Sequence, residues 1–284
     1  TVWTGYESNG KSTVLRNIAF RGFLANNADP YVFYVSTDDD TSTIMIAILA
    51  IMAEMSIDEV ETMLRQGDFL SHPKIAKNRD LIYDTMQNRI AVMGLKEVSD
   101  MKTLAKRTME LRAAKPDSTM MVVVDAIQDM REIRDRNADQ RLAVESIYAD
   151  MIRLARETDT SVHAVNHQKA DSGSLNKRPK VENIKGSSSI RYDARNIFMA
   201  HMSWKYDKET PFSWRMPGMD QSLPIVEIDM AKDKHREANI HLPFRFNPFT
   251  LRTDELDDVS YKQYEINRQS EVYGAQQAKG RDGL

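Results

Sequence analysis

The chain has 284 residues, of which 41% are hydrophobic and 29% charged, with a formal net charge of −3. That is the composition of an ordinary folded protein, one large domain or two small ones, with apolar residues enough for a sizeable core. With no cysteine there are no disulfides or thiolate metal sites, and the longest apolar run, Ile44 to Ala53, is too short to span a bilayer. The slightly acidic total gives no general attraction for nucleic acid, so any such site must be a local basic patch.

In chain order, Thr1–Thr4 reads as a short apolar strand leading into the string "TGYESNGKST". Ser12–Asn26 then places Leu15, Ile18, Ala19 and Phe23 on one face, the spacing of a helix packed on a sheet. A strand over Tyr31–Ser36 is followed by a strongly apolar helix, Thr41–Met55, and Ser56 with Glu59 forms a capping box for the next helix. Strands at Arg89–Met93, Thr119–Asp125 and Ser161–Asn166 alternate with helices at Met101–Ala113 and Asn137–Thr158. Further strands at Asn196–Met202, Ile225–Ala231 and Ile240–Phe246 lack long helices between them. Trp204 and Trp214 lie in an insertion that reads as ordinary hairpin packing.

This alternation predicts an α/β fold, a mostly parallel sheet flanked by helices and extended by antiparallel strands. Residues 1–253 read as the folded domain; 254–284 turn polar and read as a tail, mobile at its end. The N-terminus lacks a basic segment followed by an apolar one, so a cytoplasmic protein is expected, in a host's cytoplasm if phage-encoded. Chain normally precedes the first strand of such a fold, so this start reads as that of a fragment.

The string Gly5-x-x-x-x-Gly10-Lys11-Ser12 has the spacing of a phosphate cradle. A glycine-rich turn between strand and helix aims several backbone N–H groups at one anion, helped by the helix N-terminus. The expected nucleotide-binding residues are Gly5, Tyr6, Glu7, Ser8, Asn9, Gly10, Lys11, Ser12 and Thr13, with ATP and Mg²⁺ as cofactors. Lys11 would reach the β- and γ-phosphates and the Ser12 hydroxyl would bind Mg²⁺. The buried strand "MMVVVD" ends in Asp125, placed to hold the metal through water. After "VFYVS" come Asp38, Asp39 and Asp40 at the same sheet edge, and one of them, Asp38 first, would polarise the attacking water.

In this order the motifs resemble the RecA-type motor domain of ring-shaped replicative DNA helicases, the DnaB, Twinkle and phage primase-helicase group. The resemblance covers Thr1 to Arg252 and implies a RecA-like P-loop NTPase core. "VVVDAIQDM" is similar to the second nucleotide motif, and "VHAVNHQK" to a strand ending in a polar sensor, which puts His167 at the γ-phosphate. "RPKVENIKGSSSIRYDARNIFMA" resembles the stretch carrying a DNA-contacting loop, which implies Lys169, Lys177, Arg178, Lys180 and Lys185 as DNA-binding residues. Asp38 stands where that family usually has Glu.

"MAKDKHREANIHLPFRFN" resembles the element bearing the arginine finger that a neighbouring subunit inserts at the γ-phosphate. A gap-free register places Lys232 and Lys234 at the family's lysine and arginine; a two-residue shift pairs Lys234 with Arg236 as Lys-x-Arg. Arginine's planar fork suits a phosphoryl transition state better, which favours Arg236, with Lys234 keeping a phosphate role. The resemblance further implies hexameric rings translocating on single-stranded DNA to unwind duplex during replication, with primase, loader or polymerase as further partners. A filament-forming recombinase or recombination mediator, and an ATP-gated single-strand loader with little turnover, are the alternatives.

Overall fold

Pro30–Ser36 and Thr119–Asp125 are apolar nearly throughout because both faces of each strand are covered, the pattern of a parallel sheet between two helical layers. The computed structural model describes residues 1–284 apart from 68, 95, 136–138, 169–177, 185–187, 216–221, 236–237, 239 and 282–284. Its strands are β1 (Val2–Gly5), β2 (Pro30–Ser36), β3 (Ile90–Met93), β4 (Thr119–Asp125), β5 (Ser161–His167), β6 (Asn196–His201), β7 (Ser213–Arg215), β8 (Ser222–Asp233), β9 (Ile240–Asn247) and β10 (Arg252–Glu255).

They form one sheet in the order β10-β9-β8-β6-β1-β5-β4-β2-β3, with β7 paired to β8. From β3 to β6 every pairing is parallel; β8, β9 and β10 extend the sheet antiparallel. The expected architecture, parallel core with antiparallel extension, is the observed one. β7 and β10 are short edge strands that periodicity did not announce.

The two-residue period of the strands sorts the core onto two faces. Phe33, Val35, Val122 and Val124 pack beneath the helices Met101–Ala114 and Gln140–Glu157, which contribute Leu104, Ile147 and Met151. Val32, Tyr34, Met121 and Val123 face the other way, against Leu15, Ile44 and Ile48. Ile44 and Ile48 belong to the helix Thr41–Ala53, which also supplies Leu49 and Ala53 to a smaller cluster with Val60 and Met63. The capping box is present as expected: the Ser56 hydroxyl accepts from the Glu59 N–H at 3.1 Å, and Glu59 accepts from the Ser56 N–H at 2.7 Å.

The polar stretch after Asp254 carries a helix, Asp258–Arg281, where the sequence suggested a tail. Its first turns dock through charge. Tyr264 is buried and donates at 2.8 Å to Glu227 of β8, whose side chain is fully buried. Arg268 pairs with Asp229 at 3.3 Å. A buried carboxylate is tolerated only when such partners surround it. Among the described residues no helix is long and apolar enough to cross a membrane.

Two stability measurements follow from this packing. Tyr264→Phe removes a buried hydrogen bond to a charged group, and urea melts should show a loss of about 1–3 kcal/mol; an unchanged midpoint would mean that the helix is not docked through Glu227. His201 is 2% exposed, and burial, reinforced by the charge of Arg178, lowers its pKa to about 3. Between about pH 6.5 and pH 3 the unfolded chain therefore binds a proton that the folded chain does not, so stability falls as pH falls through that window. In His201→Gln the slope of stability against pH between 6 and 4 should be smaller by about 1.4 kcal/mol per unit.

Candidate active site

Parallel pairing brings the carboxyl ends of β1, β2, β4 and β5 to one edge of the sheet, where Gly5 lies opposite His167 and Ser36 opposite Asp125. Ligands of open α/β sheets bind at this edge, and the loops leaving β1, β2 and β4 all open there.

The loop after β1 is held tightly. A Cβ on Gly5, whose φ is +150°, would lie 2.5 Å from the Ala200 carbonyl oxygen. Gly10 has φ +80° and a Cβ there would press on Val226 at 3.1 Å. Asn9 is fully buried, accepting from the Met202 N–H at 2.9 Å and donating to the Tyr206 hydroxyl at 2.9 Å, so it pins the loop to the segment after β6. Tyr6 is buried beneath the turn, whereas Glu7 and Ser8 are exposed at its crest. Thr13, in the first turn of the helix that begins Lys11–Asn17 and continues through a π-helical stretch, Ile18–Phe23, is partly buried.

Lys11 is only 3% exposed and donates to the carbonyl oxygens of Tyr6 at 2.7 Å and Gly5 at 3.2 Å. Burial pushes its pKa down to about 8, with Lys205 adding to the shift while Asp125 and Glu7 oppose it. An ammonium so poorly compensated is poised for an anion, and phosphate oxygens would replace the two carbonyls.

Ser12 donates at 2.8 Å to Asp125 Oδ1, and the Tyr34 hydroxyl donates at 2.5 Å to Asp125 Oδ2. Burial, then the Asp125 charge, raises the Tyr34 pKa well above its usual value, so this phenol stays a donor. Arg16 Nε donates to the Tyr34 oxygen at 3.1 Å, and Arg16 Nη2 lies 3.8 Å from Asp125 and 2.8 Å from Asp39.

The three acidic residues after β2 separate by their partners. Asp40 caps the helix Thr41–Ala53, and the Thr43 N–H at 2.8 Å, with the Ser42 hydroxyl, lowers its pKa to about 2. Asp39 is paired with Arg16. Asp38 is exposed, and its charge, after burial, helps to raise the pKa of Asp129, which His167 and Arg134 oppose. Asp38, Asp129 and His167 therefore share one electrostatic neighbourhood beside the cradle.

The remaining expected residues lie elsewhere. β8 runs antiparallel to β6, with Lys232 opposite Ile197, which pairs with Val2 at the amino end of β1. Lys234, exposed just past the end of β8, is thus at the far edge of the sheet from its own cradle, roughly 15 Å from Gly5 along the strand direction. Lys232 donates to the carbonyls of Arg191 at 2.5 Å and Tyr192 at 2.8 Å. Arg236, Lys169, Lys177 and Lys185 lie outside the described residues. Lys180 is exposed, and its carbonyl accepts from Gln168 at 3.0 Å. Arg178 differs from the other loop cations: it is 17% exposed, pairs with Glu227 at 2.8 Å and Glu271 at 3.0 Å, and lies over the Phe212 ring. In this arrangement its charge ties the end of the loop to β8 and the C-terminal helix rather than facing outward.

A divalent cation fits the donor set in one way. Among the described residues no group of three or more His, Cys, Asp or Glu could cage a metal. The Ser12 hydroxyl and Asp125, 5% exposed, offer one neutral and one anionic oxygen at the cradle. Mg²⁺ held by few protein oxygens, with phosphates and water completing its octahedron, needs no more than that. Sequence reasoning found the cradle, Asp125 and Asp38 but not Tyr34 or Arg16: Tyr34 reads as a core aromatic within an apolar strand, and Arg16 as the polar face of a helix.

Residues 1–250 match the model of the DnaB-like helicase C-terminal domain. Among solved structures, a helicase ATPase domain superposes with a TM-score of 0.74 at 18% identity, over 90% of this chain and 84% of that one. A DnaB-like replicative helicase, described with its interactions with primase, gives a TM-score of 0.73 at 18% identity, over 90% of this chain and 57% of its own. Among curated proteins nothing matches.

Gly5→Ala places a methyl group against the Ala200 carbonyl at a φ that L-residues rarely adopt, so the loop must move. The variant should melt several degrees below wild type and lose ADP binding in calorimetry; wild-type affinity would show that the loop is looser than its contacts suggest.

Proposed function

The chain belongs to the family of DnaB-like helicase C-terminal domains, the ATP-hydrolysing motors of replicative helicases, and on that premise we propose which residues carry the work. ATP binds with its phosphates in the loop Gly5–Thr13. Lys11 exchanges two carbonyl partners for β- and γ-phosphate oxygens. Ser12 and Asp125 hold Mg²⁺, which supplies charge neutralisation at the phosphates when bound. Asp38 orients the attacking water and takes its proton: of three neighbouring carboxylates, it alone is neither a helix cap nor paired to Arg16. His167, opposite Gly5 and felt by Asp129 beside Asp38, reports the state of the γ-phosphate to the loop that follows it.

The observation that carries the assembly is the position of the β8 end. Lys234, and Arg236 two residues on, leave the sheet at the edge away from their own cradle, so they reach a γ-phosphate only in a neighbouring subunit. The ATP site is accordingly shared between protomers of a closed hexameric ring. In the ring's centre Lys169, Lys177, Lys180 and Lys185 track the phosphates of single-stranded DNA, and hydrolysis moves them along it to unwind duplex. Arg178 joins them only if it leaves Glu227 and Glu271. Primase, loader and polymerase are the expected partners. A motor acting on replicating DNA works where the template is, in the cytoplasm.

Steady-state ATP hydrolysis with and without single-stranded DNA tests this reading. DNA should stimulate the wild type, Lys11→Ala should be inactive, and Asp38→Asn should lower kcat by about 10²–10⁴ with little change in ATP KM. Arg236→Ala should be inactive alone and should poison wild-type protein on mixing, as a finger acting in trans must. Turnover indifferent to DNA would sink the translocation reading, and a silent Arg236→Ala beside an inactive Lys234→Ala would move the finger to Lys234. Electron micrographs decide rings against filaments.

A further inference from the structure

Asp125 is oriented by two side chains that take no part in holding nucleotide. Both of its oxygens are engaged: Oδ1 accepts from Ser12 at 2.8 Å and Oδ2 from the Tyr34 hydroxyl at 2.5 Å. Tyr34 is fully buried in the middle of the sheet, where packing alone would be served by phenylalanine, as it is at the adjoining Phe33. Its oxygen accepts in turn from Arg16 Nε at 3.1 Å, and Arg16 Nη2 reaches Asp39 at 2.8 Å. One guanidinium thus bridges the carboxylate at the end of β4 and the acidic turn at the end of β2, the turn that bears Asp38.

We propose that Tyr34 and Arg16 are positioning residues of the motor. Tyr34 holds Oδ2 of Asp125 so that Oδ1 stays on the metal side, next to Ser12. Arg16 fixes the acidic turn through Asp39, and so sets where Asp38 meets the water. The proposal rests on Asp125 as the metal carboxylate and Asp38 as the residue that acts on water. Partners of this kind set the orientation of metal-bound carboxylates, and their loss typically costs about 10–100-fold in metal affinity.

The test is a Mn²⁺ titration in the presence of ADP, followed by electron paramagnetic resonance, together with ATP kinetics and thermal melts for each variant. Tyr34→Phe should weaken Mn²⁺ binding about tenfold while ADP affinity in excess chelator stays at the wild-type value. Asp39→Asn, at a partly exposed position, should leave Mn²⁺ binding intact and lower kcat about tenfold at unchanged ATP KM. Arg16→Met should lower kcat at least as much, and Arg16→Met with Asp39→Asn should be no slower than Arg16→Met alone, since both break one link. Wild-type Mn²⁺ affinity in Tyr34→Phe, beside a loss in Asp125→Asn, overturns the role of Tyr34. Wild-type affinity in Asp125→Asn overturns the metal reading beneath it. Additive kcat losses at positions 16 and 39 overturn the bridge, and that arm decides it even where Tyr34→Phe folds poorly.

Discussion

Parallel strands can be joined only by crossovers, and that constraint places every strand's carboxyl end on the same edge of the sheet. Here it brings the phosphate loop after β1, the acidic turn after β2, Asp125 at the end of β4 and His167 at the end of β5 into one crevice. These four segments are far apart in the chain, and no side-chain contact is needed to assemble them to first order. The register does it, fixed by the two buried faces of β2 and β4, on which a slip by one residue would turn the whole apolar set the wrong way.

Within the crevice, burial of charge decides the finer geometry. Asp125, Arg16 and Lys11 are all largely removed from water, and each must then be satisfied by neighbours. The Arg16–Tyr34–Asp125 chain does so at the end of β4, while Lys11 rests on two backbone carbonyls until an anion offers more. The same logic recurs about Glu227, where Tyr264, Arg178 and Arg268 converge. That second network joins β8, the end of the basic loop and the C-terminal helix, so the strand that leads to the proposed trans-acting cations is also the one to which the loop is tied.

The switch from parallel to antiparallel at β8 has a mechanical consequence. A parallel neighbour of β6 would have brought Lys234 to its own phosphates. The reversed strand carries it to the opposite edge, where it can serve only another copy's cradle. On the proposed reading, a motor built in this way hydrolyses ATP only as fast as its neighbours allow.

Much of this was readable from residues alone, because the signals concerned are local. Strand and helix periods, the glycine spacing of the loop, the Ser56–Glu59 cap and the apolar run ending in Asp125 each lie within a few residues, and they were enough for the elements and the candidate cradle. The choice of Asp38 among three aspartates needed structure, since it turns on Asp40 being a cap and Asp39 meeting Arg16 across 23 positions. Tyr34 is 91 positions from Asp125, and Tyr264 is 37 from Glu227; nothing in the period of either segment marks its hydroxyl as a partner. The polar C-terminal segment looked like a tail because its docking uses buried ion pairs in place of an apolar stripe. The sequence determines by itself what short-range spacing and hydropathy can encode, namely the elements, the cradle and the family. Which charges meet, and on which edge of the sheet, only the tertiary structure decides, because it depends on crossovers and on the cost of leaving a buried charge alone.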